Sequence, residues 1–269
     1  MHRQGIRPKL GQNFLVSATA QAAIVDALGD LAHRTVVEIG PGRGAITALL
    51  ARRASHLVAI ELDRDLAAQL RHQFAEQGSV EVRGEDVLRT DFAALRHAHP
   101  AQDKLLVVGN LPYYITSDIL LRLFHFAPHI DRAVIMVQRE VADRVAASPG
   151  TSDYGLLSAT AQLYARVEKL MTLPPGAFSP PPQVHSTVLR LTMAPRFAEL
   201  GVAAEPFIAF LKAGFAQKRK MLAKNLRNAG YDPAQISSAL AAAGIPSQAR
   251  AEEIELDRMA ELWKRLLHE

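Results

Sequence analysis

The segment Gly109-Asn110-Leu111-Pro112-Tyr113 brings a side-chain amide, a proline and an aromatic ring together within five residues. The Asn110 side-chain oxygen and the Leu111 carbonyl, the latter exposed by the proline that follows, can accept the two N–H bonds of a planar exocyclic amine. Tyr113 can stack on the ring carrying that amine. An amine pinned in this way aims its lone pair along one line, which suits in-line displacement at carbon, with positioning and exclusion of water supplying most of the rate. No general base accompanies Asn110, so the proton is expected to leave to water. The plain alternative for such a string is an ordinary turn.

A second segment, Val36-Val37-Glu38-Ile39-Gly40-Pro41-Gly42-Arg43-Gly44, runs an apolar strand into a glycine-dense turn. Such a turn lets backbone approach a ligand at the carboxyl end of the first strand, where open parallel sheets bind nucleotides. The next apolar run, LVAIEL, ends in Glu61, a carboxylate able to take ribose hydroxyls, and the third is followed by Gly84-Glu85-Asp86. The turn spacing is G-x-G-x-G, which disfavours the pyrophosphate of a nicotinamide cofactor. A ligand with ribose and adenine but no phosphates needs carboxylates and no cationic clamp, a description met by S-adenosylmethionine. Helix capping is the plain reading of Glu61 and Asp86 taken singly.

These residues need a scaffold that gathers them. From Thr35 to Gln138, apolar runs of four to six residues alternate with helical periods, the pattern of βαβ units and a parallel sheet. Ser17 to Leu28 reads as a helix capped by Ser17. After Arg139, RVEKLMTL and HSTVLRL flank a proline-dense loop and predict an antiparallel pair at the sheet edge. Past Pro195 the pattern is helical only, broken near Gly201, Gly230 and Gly244. The expected architecture is α/β, a Rossmann-like sheet over residues 1–195 with a small all-helical domain over 196–269.

Composition narrows the classes. The chain has 269 residues, 49% of them hydrophobic, and no cysteine, so disulfides, thiolate zinc sites and thiol nucleophiles are excluded together. No apolar run approaches the roughly 18 residues of a membrane span, and MHRQGIRPK lacks the apolar core of a secretory leader. A cytoplasmic location and no membrane partner are expected. There is no H-E-x-x-H string, and His125 and His129 lack a nearby carboxylate pair, so no metal is expected. The net charge of +4 says little, but its distribution says more: Arg3, Arg7 and Lys9 lie in a carboxylate-free N-terminal arm, and Pro206 to Tyr231 holds six basic residues and no acidic one.

A base inside a stacked RNA cannot reach the Asn110 segment unless it is turned out, and enzymes acting on bases hold the extruded ring between aromatic faces. Phe178, within GAFSPPPQV, is the candidate second face, since prolines stiffen its loop. The competing reading is that Phe178 plugs the core beneath that loop.

The strings KLGQNFL, VVEIGPGRGAIT, IELD, GEDVL, GNLPYYIT, MVQREVADR, FSPPPQVHS and FAQKRKMLAKNL span nearly the whole chain. Together they resemble the ribosomal RNA adenine dimethyltransferases, in particular the bacterial enzymes that dimethylate two adjacent adenines in the 3′-terminal hairpin loop of 16S RNA in the 30S subunit. The resemblance implies S-adenosylmethionine as cofactor. It implies that Asn13 and Leu15 close over that cofactor, with Gly40 near its methionine end, Glu61 on its ribose and Asp86 on its adenine amine. Asn110 then serves both cofactor and target amine, and Leu111, Pro112, Tyr113 and Phe178 complete the target site. From the residues alone, QNFL could equally be a staple anchoring the N-terminus. Three positions depart from the family pattern: Tyr114, where a small polar residue is common, and Lys218 and Met221 in the basic segment.

At about 100° per residue, Leu211, Phe215, Leu222 and Leu226 share one face of a helix while Lys220, Lys224 and Arg227 share the other. Lys218 falls in the apolar stripe, so it must snorkel or the helix must break there. Together with Arg3, Arg7 and Lys9, this basic face is the expected contact to RNA phosphates, which position the RNA without reading its sequence. A solvated charged face is the plain alternative. The competing functions are a large-subunit (23S) adenine methyltransferase of the antibiotic-resistance type and an assembly factor with secondary catalysis. A monomer is expected.

Overall fold

A computed structural model describes residues 13–98 and 103–268. The elements in chain order are β1 (Phe14–Leu15), α1 (Ala18–Asp26), β2 (Thr35–Ile39), α2 (Thr47–Leu50), β3 (His56–Ile60), α3 (Arg64–Gln73), β4 (Val80–Arg83), α4 (Phe92–Ala98), β5 (Leu105–Asn110), α5 (Thr116–His125) and β6 (Ile130–Gln138). They continue as α6 (Arg139–Val145), α7 (Leu156–Tyr164), β7 (Ala165–Leu173), β8 (Phe178–Ser179), β9 (Ser186–Met193), α8 (Phe197–Leu200), α9 (Ala204–Gly214), α10 (Leu222–Asn228), α11 (Pro233–Ala242) and α12 (Leu256–His268).

Seven strands form one sheet in the order β4-β3-β2-β5-β6-β9-β7. The strands β4, β3, β2, β5 and β6 are parallel, and β9 joins antiparallel to β6. The central strands are mostly apolar because helices cover both faces of a parallel sheet; all five residues of β2 are buried, Glu38 among them. On β7 and β9, Glu168 bonds Arg190 and Thr172 bonds Thr187. These pairs run in opposite chain senses, the antiparallel edge expected from the two β-rich segments. Ser17 caps α1 by accepting from the Ala20 N–H, and Asp63 caps α3 through two backbone donors.

The order of strands reverses direction between β2 and β5, which lie side by side with Ile39 opposite Gly109. The chain leaves β2 toward β3 on one side and returns through β5 on the other, so the connections diverge and leave a crevice at the carboxyl ends. Both chemistry-bearing segments, the glycine turn after β2 and the Asn110 string after β5, end there.

The division of the chain differs from the expected boundary at residue 196. One compact unit comprises Met1–Arg139 and Glu168–Met193, the other Glu140–Val167 and Ala194–Glu269. The helices α6 and α7 were not anticipated as part of the helical unit. Ala159 and Leu163 of α7, with Ala147 and Tyr154 of the segment joining α6 to α7, share one buried cluster with Phe207, Phe210, Leu226 and Trp263, and this common core accompanies the division.

The long basic helix also resolves differently. It breaks: α9 ends at Gly214, α10 begins at Leu222, and Arg219 between them has a φ of 66°. The buried Asn225 amide donates to the carbonyls of Gly214 (2.6 Å) and Gln217 (3.1 Å), satisfying acceptors that the broken helix frees. Lys218 is thereby turned out of the apolar stripe and donates to the Ser152 carbonyl at 2.7 Å.

Candidate functional site

A cavity of 610 Å³ opens at the β2/β5 switch, a volume typical of small-molecule sites. Its lining includes Asn13, Leu15, Gly40, Glu61, Asn110, Leu111, Pro112 and Tyr113. Eight of the expected site residues, spread over a hundred positions of sequence, therefore converge on one space.

The floor is built by the glycine turn. Gly42 has a φ of 58°, and a Cβ there would lie 2.9 Å from the Phe14 ring. Only glycine lets the turn and the N-terminal arm approach so closely. The Gly42 N–H donates to Glu61 Oε2 at 3.0 Å, and Glu61 Oε1 accepts from Asp63 N–H at the same distance. These bonds tie the ends of β2 and β3 together around one buried carboxylate. Burial pushes the Glu61 carboxyl up, against the pull of its backbone donors.

On the β5 side, the Asn110 Nδ2 donates to the Asn13 carbonyl at 3.0 Å. Its Oδ1 is buried and has no hydrogen-bond partner. A buried amide oxygen without a donor is costly, and its orientation is already decided by the bond its own nitrogen makes. Leu111 is 1% exposed, its N–H bonded to the Met136 carbonyl. Tyr113 is held through its hydroxyl, 3.0 Å from Ser186 Oγ.

The arm is fastened by the proline-rich loop. β1 pairs antiparallel with β8, Val16 N–H donates to the Ala177 carbonyl, and Gln21 Nε2 donates to the Leu15 carbonyl. The Arg43 guanidinium lies 4.5 Å from the centre of the Phe14 ring.

Two expected site residues lie outside the lining. Phe178 is 3% exposed and packs in a core cluster with Leu15, Ile24, Met136 and Val188. The β1–β8 pairing sets it opposite Leu15, so its ring plugs the core rather than standing free as a second aromatic face. Asp86 caps the short 3₁₀ turn Val87–Arg89, accepting from Leu88 N–H at 2.9 Å. Of the expected RNA contacts, Arg3, Arg7 and Lys9 lie outside the described residues, while Lys220, Lys224 and Arg227 are exposed on the segment containing α10.

Sequence reasoning passed over Glu38. It lines the cavity from inside β2 at 2% exposure, and its Oε2 has no hydrogen-bond partner. Burial pushes its carboxyl up to about 7; the Thr47 hydroxyl pulls the other way and the charge of Glu61 adds to the rise. The available signal was a carboxylate in the middle of an apolar strand, a placement proteins rarely tolerate without use. Tyr114, noted only as a departure, also lines the cavity.

Among the described residues, no helix is long and apolar enough to cross a membrane, and no group of three or more His, Asp or Glu is placed to hold a metal ion.

Comparison with known proteins agrees with this geometry. A relative in Acidobacterium capsulatum, named ribosomal RNA small subunit methyltransferase A, is 63% identical over 97% of this chain and 91% of its own length. One of the same name in Koribacter versatilis is 55% identical over 97% of this chain and 94% of its own. Among solved structures, a dimethyladenosine transferase from Plasmodium falciparum shares the fold, with a TM-score of 0.78 at 22% identity over 93% of this chain and 95% of that one. The 23S rRNA methyltransferase ErmE superposes with a TM-score of 0.71 at 26% identity, covering 95% of this chain and all of its own. The sequence profile described as ribosomal RNA adenine dimethylase matches residues 3–267, and with it the cleft between β2 and β5 acquires its context: the chain belongs to the ribosomal RNA adenine dimethylase family.

Proposed function

We propose that this protein transfers methyl groups from S-adenosylmethionine to the N6 amines of two adjacent adenosines near the 3′ end of 16S ribosomal RNA in the small subunit, twice per adenine. The observation that carries this reading is the buried, unpartnered Asn110 Oδ1, fixed in direction by the bond from its amide nitrogen to Asn13 and set in the same cavity as Glu61 and the glycine turn. The small-subunit target is supported by the names of the relatives at 63% and 55% identity.

The cavity suits the cofactor by charge and shape. Glu38 and Glu61 give its wall two carboxylates, which match a cationic ligand, and the cation that lines it, Arg43, lies over Phe14. Glu61 oxygens that already accept one backbone N–H each keep lone pairs for ribose hydroxyls. Gly40 offers close backbone approach at the methionine end, while Asn13 and Leu15 form the covering arm. When bound, S-adenosylmethionine supplies a methyl carbon activated by its sulfonium.

Asn110 Oδ1 and the Leu111 carbonyl accept the two N6–H bonds of an extruded adenine, and Tyr113, immobilised by Ser186, supports its ring. Held by these two acceptors, the N6 lone pair would point at the methyl carbon; the new N–C bond would form as the donor's C–S bond broke, and the N6 proton would leave to water. A second passage gives the dimethylated amine. Lys220, Lys224 and Arg227 contact RNA phosphates.

The test is incubation of the protein and labelled cofactor with each purified, unmethylated ribosomal subunit. Label in N6,N6-dimethyladenosine of the small subunit is expected. Label in the large subunit alone would transfer the reading to a 23S enzyme, and particle binding without label would leave an assembly factor.

A further inference from the structure

With Phe178 buried, the cavity is lined, among the described residues, by three aromatic rings: Phe14 of the arm, which the Arg43 guanidinium overlies, Tyr113 from the expected site, and Tyr114, to which that site gave no role. Tyr114 lines the same cavity and is 62% exposed, so its ring is open to a ligand arriving from solvent. The two tyrosines begin the 3₁₀ turn Tyr113–Ile115, in which successive side chains diverge by about 120°. They cannot clamp the two faces of one base. Tyr113 is held inward by Ser186, and Tyr114 is turned outward to the rim.

We propose that Tyr114 is a positioning residue for the RNA strand: its ring stacks on the nucleobase adjacent to the extruded adenine. Turning one base out of a strand breaks the stacking of its neighbour, and an exposed aromatic ring beside the entrance restores that stacking on protein. The neighbour is thereby held at the mouth while its companion is in the cavity. For a substrate with two adjacent targets, this keeps the second adenine at the entrance during modification of the first. This inference rests on the reading of the site as an adenine-methylating centre.

The test compares wild type, Tyr114→Phe and Tyr114→Ala in steady-state methylation of each unmethylated subunit, with cofactor affinity measured by calorimetry on the same samples. Loss of one base–aromatic stack is expected to raise the KM of Tyr114→Ala for the particle about tenfold, with kcat changed less than about twofold and cofactor affinity unchanged. Tyr114→Phe, which keeps the ring, should match wild type. An unchanged KM in Tyr114→Ala, a loss confined to kcat, or a Phe variant as impaired as the Ala variant would each overturn the stacking role while wild-type methylation upholds the reading of the site. A wild-type protein that methylates neither subunit would overturn both.

Discussion

The side-chain amide of Asn110 is bonded through its nitrogen to the backbone carbonyl of Asn13, ninety-seven residues earlier in the chain, at 3.0 Å. That bond decides which end of the amide faces the cavity. An asparagine with Nδ2 pointing inward would offer donors to an amine that needs acceptors; with its nitrogen engaged by the arm, Asn110 offers Oδ1.

Replacing Asn110 with Ala should therefore lower methyl transfer to unmethylated small subunits by at least about 100-fold, the scale seen when a preorganised polar group aimed at the reacting centre is removed. Particle binding should change little. Measured initial rates and filter-binding isotherms check this; normal turnover by the Ala variant would remove Asn110 from the chemistry.

Glu38 predicts a pH dependence. Burial pushes its carboxyl up from the ordinary 4.5 to about 7, so between those pH values the native chain holds a proton that the unfolded chain has released. Stability is greatest below about pH 4.5 for this group and falls as pH rises to about 7, by roughly 3 kcal/mol in total. Glu61, also raised by burial, acts in the same direction. Glu38→Gln should flatten much of the decline and raise the denaturation midpoint at pH 8, where urea titrations at several pH values would reveal it.

The same group couples to the cofactor. A cationic ligand beside Glu38 favours its ionised form, so cofactor affinity should rise with pH up to about 7 and level off above, with proton release on binding. Calorimetry in buffers of different ionisation enthalpy reads the proton count. Binding without proton release at pH 6 would place the ligand's charge away from Glu38.

Gly42→Ala should disturb the arm. A residue with a side chain pays for the φ of 58°, and its Cβ would meet the Phe14 ring at 2.9 Å. A loss of about 1–2 kcal/mol in stability is expected, with cofactor affinity falling further than stability accounts for. Wild-type cofactor affinity in this variant would show that the arm does not cover the ligand.

Lys220 and Lys224 are exposed and have no ion-pair partner among the described residues. Changing both to Ala should weaken particle binding and reduce the slope of log affinity against log salt by about one to two. Binding that is unchanged across salt concentrations would make this face ordinary solvated surface.

The sequence alone determined the parallel α/β order, because apolar runs and helical periods are local signals, and it identified the glycine turn, Glu61 and the Asn110 string through residue types that few other roles require. The break at Lys218 was legible as a conflict between charge and stripe, although the bonds from Asn225 that stabilise it were not. Tertiary structure decided what depends on partners distant in the chain. Glu38 reaches the cavity through its place on β2 between β3 and β5, Phe178 is drawn into the core by pairing with the arm, and α7 with the segment before it joins the helical unit because their apolar residues share its core. Burial is a property of the packed whole, and no window of sequence contains the neighbours that create it.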